Sequence, residues 1–467
     1  MRIARAMGVF ACVLGMLGLA SCGGGGMGAN SPSPDQQMAS VFTVGTDAPL
    51  PSVISCQVTI TGATLYNGIT NVNVMPSAPQ TIDFAKLSGL HQLMDLNAVP
   101  TGTYSSATIT LSSVTIGYLD TSVNPPTVST INGTLSQSTE TVNFKNPFVL
   151  NDDDLVGLRM EFDIAKSLPV DQSGQVTGVV NPTFHMALLA ADDSNVSIDD
   201  FHAGVVGVTG NNSFTMQGPK GRQWAVQADS STVLDDSDQP INQFTTNTIV
   251  SVSGTLDRVT KAIDASEIEV VSNDHFYVGG LLTSVRPPAP QAATAADLYV
   301  RSELPDLNTF QDGQIATFSL DGSERYRIGN ISLPLTTLLF NNSAMAAGQR
   351  VDLGGALSTV NGAETLTVHR VVLRRQGQAG DWVVGSTNVQ SGDAGSFQLN
   401  DDRTAGLLLP NPLTVVTTNA TRFVGLSGLS ALSGSSPIAL RVVGFVLFDS
   451  VSSQPVMIAK AVEQITD

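Results

Sequence analysis

Few side chains in this sequence sit at spacings that suggest chemistry. There are five histidines, at 91, 185, 202, 275 and 369. None has a second histidine at the His-x-His or His-x-x-x-His spacing that puts two imidazoles on one metal. A hydrolytic triad needs a Ser or Cys, a His base and an orienting carboxylate within bonding reach. No Gly-x-Ser-x-Gly elbow stands between a strand and a helix pattern, and no phosphate-cradling glycine loop is present. Three cysteines occur. Cys56 lies in the apolar run Val53-Ile54-Ser55-Cys56-Gln57-Val58 and reads as a small buried hydrophobe. A catalytic role would need His91, the only histidine in that part of the chain. Carboxylates do cluster, at Asp152–Asp154, Asp192-Asp193, Asp199-Asp200, Asp235-Asp236 with Asp238, and Asp401-Asp402. Calcium takes six to eight oxygens, and acidic loops can supply them. No run follows the Asp-x-Asp-x-Asp-Gly order of a complete calcium loop, so solvated turns are the simpler reading. If one run binds metal, the candidates are Asp192, Asp193, Asp199 and Asp200, where calcium would stiffen a domain junction. The expectation is a protein that is not an enzyme and carries no cofactor.

The N-terminus carries a different chemistry. Arg2 and Arg5 precede an apolar stretch from Met7 to Leu19, the layout of a secretory signal. It ends in Leu19-Ala20-Ser21-Cys22, which resembles the lipobox of a bacterial lipoprotein. The resemblance implies diacylglyceryl transfer to the Cys22 sulfur, cleavage of residues 1–21 and attachment to the membrane through an N-terminal lipid. Gly23, rather than Asp, follows Cys22, which resembles the pattern sorted to the outer membrane. The stretch is too short to span a bilayer, which takes about 20 apolar residues. Residues 22–40, rich in Gly, Ser and Pro, cannot bury a core and read as a tether.

Composition narrows the partners. The net charge is −18, from 22 Lys+Arg against 40 Asp+Glu. Loss of Arg2 and Arg5 makes it more negative still. That argues against nucleic acid, whose recognition needs a basic face, and against docking on anionic headgroups. A protein or glycan ligand stays open.

The elements that must position these groups are strands. Val58-Thr59-Ile60-Thr61, Ala107-Thr108-Ile109-Thr110-Leu111 and the run from Leu158 to Ile164 alternate apolar and polar residues, the period of half-buried strands. One helix pattern occurs, Phe84 to Leu96, which Gly89 limits to one or two turns. Residues 41–191 read as one domain. It opens on Phe42 to Pro49 with Thr46-Asp47-Ala48-Pro49, and later shows Pro100-Thr101-Gly102-Thr103-Tyr104 leading into a strand. That order resembles an N-terminal β-sandwich module of unknown function found in bacterial lipoproteins. Tyr104 is placed to bury its ring and bond the backbone, as corner tyrosines do.

Past residue 200 the sequence repeats five landmarks in order, three times. A hydrophobic-glycine opener comes first: Gly204 to Gly207, Tyr277 to Gly280, and Val383 to Gly385. A phenylalanine strand follows, at Phe214, Phe318 and Phe397. Then comes a threonine, at Thr232, Thr337 and Thr421. A strand with central glycine is next, at Gly254, Gly355 and Gly444. An apolar strand closes each unit. The units, 202–272, 275–375 and 378–467, resemble a small repeated β-barrel module of unknown function in secreted bacterial proteins. Gln376 to Gly380 reads as a linker before the third. A mid-strand glycine weakens pairing unless a bend needs it, as in a tightly coiled barrel.

The expected fold is therefore all-β, a β-sandwich followed by three small β-barrels. The expected function is a non-catalytic, lipid-anchored envelope or cell-surface lipoprotein acting as a structural or binding module, with a glycan- or calcium-binding surface protein as the alternative.

Overall fold

The computed structural model describes residues 38–465, except 49, 51, 76–77, 88–91, 121–126, 190–197, 219–222, 235–238, 247, 258–259, 261, 330–337, 361 and 402–406. The signal stretch, Cys22 and most of the tether lie outside the described residues. Among the described residues the architecture is all-β, with five sheets and only short helical turns between them.

Residues 38–189 form the sandwich. A four-stranded sheet runs in the order Phe184–Leu189, Leu155–Asp163, Met38–Ala48, Gln92–Pro100. Met38–Ser40, assigned to the tether from sequence, are already strand. The facing seven-stranded sheet is built on Val53–Tyr66 and Gly102–Asp120. Their alternation drives Cys56, Val58, Ile60, Ala107, Ile109 and Leu111 inward, against Phe162 and Phe84. The expected helix is a single 3₁₀ turn, Phe84–Leu87, and Gln92–Pro100 is strand because it pairs with Met38–Ala48. Tertiary pairing here outweighs the helical spacing of the leucines. Tyr104 is fully buried and donates its hydroxyl to the Pro100 carbonyl at 2.8 Å, the corner expected of it.

The three modules share one strand order. In the first, Ile198–Gly210, Ser213–Gln217 and Gln223–Gln227 are followed by the short strand Val233–Leu234, a 3₁₀ turn at Ile241–Gln243, and the hairpin Ile249–Leu256 with Ile263–Ser272. The second repeats this with Phe276–Arg286, Ala295–Leu304, Ile315–Ser319, Arg325–Ile328, the turn Asn342–Ala344, and the hairpin Arg350–Val360 with Ala363–Leu373. The third uses Gln376–Trp382, Ala394–Asn400, Leu413–Thr417, Arg422–Val424, the turn Leu429–Ala431, and the hairpin Ala439–Asp449 with Gln454–Gln464. In each, the first strand pairs with the second strand and with the hairpin, and the short strand runs parallel to the last. In the first and third modules the third strand also pairs with the last, so the ladder returns on itself around five strands.

Two landmarks fall differently from the sequence reading. Gln376 to Gly380, read as linker, opens the third module as strand, and Gly385 lies in the turn after it with φ 78°. Phe318 sits on the third strand of its module, whereas Phe214 and Phe397 sit on the second. All three rings are buried, because neighbouring strands of a small barrel point at the same core.

The glycine landmark holds in all three. Gly254, Gly355 and Gly444 each lie at a register shift within their hairpin. A Cβ there would come within 2.1 Å of the Asp264 carbonyl oxygen, 2.0 Å of that of Thr367, and 2.0 Å of that of Ile458. The bulge brings two backbones closer than any side chain allows, which bends the hairpin around the core. The threonine landmark clips the same place. Thr232 donates to the Ala265 carbonyl at 2.7 Å and Thr421 to that of Ala459 at 2.8 Å, each opposite its bulge glycine. Thr337 lies outside the described residues.

Candidate functional site: a buried charge network between modules

The last strand of the first module reads Ile268-Glu269-Val270-Val271, a carboxylate inside an apolar run. The last strand of the second is followed directly by Arg374-Arg375. Neither charge faces water. Arg374 is 1% exposed and Glu269 is 2% exposed. They meet across the module boundary, Arg374 Nη1 to Glu269 Oε2 at 2.6 Å. The same Nη1 lies 3.1 Å from Asp200 Oδ1 on the first strand of module one, and Nε donates to Asp352 in its own module. Asp200 Oδ1 also accepts from Ser251 at 2.9 Å, and Arg350 lies 3.5 Å from Asp200 Oδ2.

His202, two residues beyond Asp200 on the same strand, completes the arrangement. Its Nε2 is 2.7 Å from Asp352 Oδ2 and its Nδ1 is 2.8 Å from the Asp200 carbonyl oxygen. Both partners can only accept, so both bonds form together when both ring nitrogens carry protons. The ring stacks on Tyr277 with centroids 5.0 Å apart, and the Tyr277 hydroxyl donates to Asp352 Oδ1 at 2.9 Å. Asp352 therefore accepts from a tyrosine, an imidazole and a guanidinium.

Electrostatics hold Asp200, Asp352 and Arg374 ionised. Burial opposes the Asp200 carboxylate, but Arg374, His202 and Arg350 outweigh it and keep the carboxyl well below the usual range. Burial opposes Asp352 likewise, and Arg374 with His202 again prevail. Burial also opposes the Arg374 cation, which Asp200, Glu269 and Asp352 stabilise so that it stays charged. Burial pushes the Tyr277 hydroxyl well above its ordinary range, with Asp352 adding to the effect, so it remains a donor.

The hairpin position used here recurs. Three residues before each bulge glycine, the cross-strand pairs are Ser251 with Glu269, Asp352 with Val372, and Arg441 with Glu463. In module three, Arg441 reaches Glu161 of the sandwich at 2.5 Å and Glu463 at 3.3 Å. The sandwich is also held by Arg301 of module two, whose Nε donates to the Ile54 carbonyl at 2.9 Å. The outward side of the hairpin is thus each module's docking position.

The residues singled out from sequence are scattered. Asp192 and Asp193 lie outside the described residues, and the side chain of Asp199 is among those not described. Asp200 is inside the network, with its oxygens directed at arginine and serine rather than presented in a loop. His91 is outside the described residues. Cys56 is fully buried in the sandwich core, and His369 is on the surface, 2.7 Å from Asp274. Trp224 is 6% exposed and belongs to the core of module one. A cavity of about 50 Å³ is lined by Leu281, Gly348, Gln376, Gln378, Asp401 and Asn411 among others. That is room for a few water molecules. Sequence reasoning missed Glu269, Arg350, Asp352 and Arg374. The signal was a charge inside, or directly after, an apolar run on a strand buried on both faces.

No protein-family model matches the chain, and no curated protein matches it. The likeness of its units to one another is carried by the shared strand order and the bulge glycines.

Proposed function

We propose that the protein is a lipid-anchored lipoprotein of the bacterial envelope, sorted to the outer membrane, whose sandwich and barrels form a non-catalytic structural or binding body. The anchoring reading rests on Leu19-Ala20-Ser21-Cys22. The observation that carries the non-catalytic reading is the burial of Asp200, His202, Glu269, Asp352 and Arg374 against one another. These ionisable groups are engaged in joining modules, and so they are not offered to a substrate.

Labelled palmitate and cell fractionation test the anchor. The full chain should incorporate label and sediment with membranes, while Cys22→Ser should lose the label and stay in the soluble fraction. Label retained by Cys22→Ser would overturn the reading. Titration of the chelator-treated protein with calcium, followed by calorimetry, tests the metal version of the binding role.

A further inference from the structure

The apolar cores divide the described chain into two halves. Phe42, Leu155 and Leu189 of the sandwich pack into the core of module one with Ile198, Phe201 and Ala203. Phe445, Leu447 and Ile458 of module three pack into the core of module two with Val278 and Leu353. Between these halves the shared apolar groups are small. One is Ile249 and Val271 against Tyr277 and Leu304, and the other joins Ile54 to Leu281 and Tyr299. The remaining described cross-contacts named above are polar: the Arg374 network, Arg441 with Glu161, and Arg301 with the Ile54 carbonyl. The chain crosses from one half to the other once, through the exposed residues Asn273-Asp274-His275, where His275 has φ 66°.

We infer that the molecule is a hinged clasp, which opens along this polar seam about residues 273–275 while both halves stay folded. Separating apolar cores exposes surface that water does not welcome, whereas separated ions regain hydration that partly offsets the lost pairing. The seam is therefore the plane of lowest cost for sub-global opening, and a single covalent crossing leaves it free to swing.

Thiol reactivity under native conditions tests this in the full chain, with a cysteine placed at a seam position or a core position. Val271→Cys and Ile249→Cys report on the seam, and Val252→Cys reports on the core of module one. Cys56, in the sandwich core, serves as an internal reference. The clasp predicts that both seam thiols react at least tenfold faster than the Val252→Cys thiol and Cys56 under conditions where circular dichroism shows the fold intact. A smaller difference at either seam position would overturn it, because exposure would then come only with global unfolding.

Discussion

At the scale of single residues, Arg374 neutralises carboxylates from three strands. A buried pair is weak evidence of net stability, because desolvation of each ion consumes much of the attraction. Removing one partner is a different matter, since it leaves the others uncompensated. Arg374→Met should cost about 3–5 kcal/mol of unfolding free energy, measured by denaturant titration. Adding Asp200→Asn and Glu269→Gln to that variant should recover a large part of the loss. If the single change costs no more than an ordinary surface substitution, about 0.5 kcal/mol, the network does not hold these carboxylates. The residue types were visible in the sequence, but their meeting was not. Glu269 and Arg374 are 105 positions apart, and no local periodicity encodes a contact across a module boundary. Nothing local in the sequence marks His202 for the same reason, since Asp352 is 150 positions away.

At the scale of elements, the bulge glycine was the legible feature. Its mid-strand position in three units is costly unless the backbone requires it. The close approach of the Ile458 carbonyl to Gly444 shows why no side chain fits. Gly444→Ala should lower the urea midpoint by the equivalent of about 2 kcal/mol or more, through overpacking against backbone that cannot yield. Gly62→Ala is the control, because nothing lies within 4 Å of a Cβ there, and it should change stability by less than about 1 kcal/mol. Equal effects at the two sites would remove the bulge argument. The phenylalanine landmark was less secure. Phe318 fills the core from the third strand, and a pattern of single aromatic residues cannot tell adjacent inward-facing strands apart. Gln376 to Gly380 misled for a related reason, since glycines and glutamines without large apolar residues look like linker. Their backbone pairing with Leu440 to Gly444 makes them strand.

At the scale of the whole molecule, stability should depend on acid in a particular way. Asp200 and Asp352 have folded-state carboxyls held well below their ordinary range. For groups depressed on folding, the stabilisation is present above the unfolded value, about pH 3.9, and is lost as pH falls toward the folded values. Unfolding free energy should therefore decline below about pH 4, and less steeply in an Asp200→Asn, Asp352→Asn variant. An unchanged slope in that variant would place the acid sensitivity elsewhere. The all-β class and the threefold repetition were legible because alternation and internal repeats are written locally. The packing of sandwich and barrels against one another was not, because both the shared apolar cores and the polar pairs bring together residues from distant strands.

The account turns on charge joining the first module to the second. A double-mutant cycle between Glu269→Gln and Arg374→Met, read by equilibrium unfolding of the full chain, measures that link without reference to function. Groups in direct contact should give a coupling energy of about 1.5 kcal/mol or more. Effects that add to within about 0.5 kcal/mol would contradict it, and would mean that the two modules are held together by something other than this network.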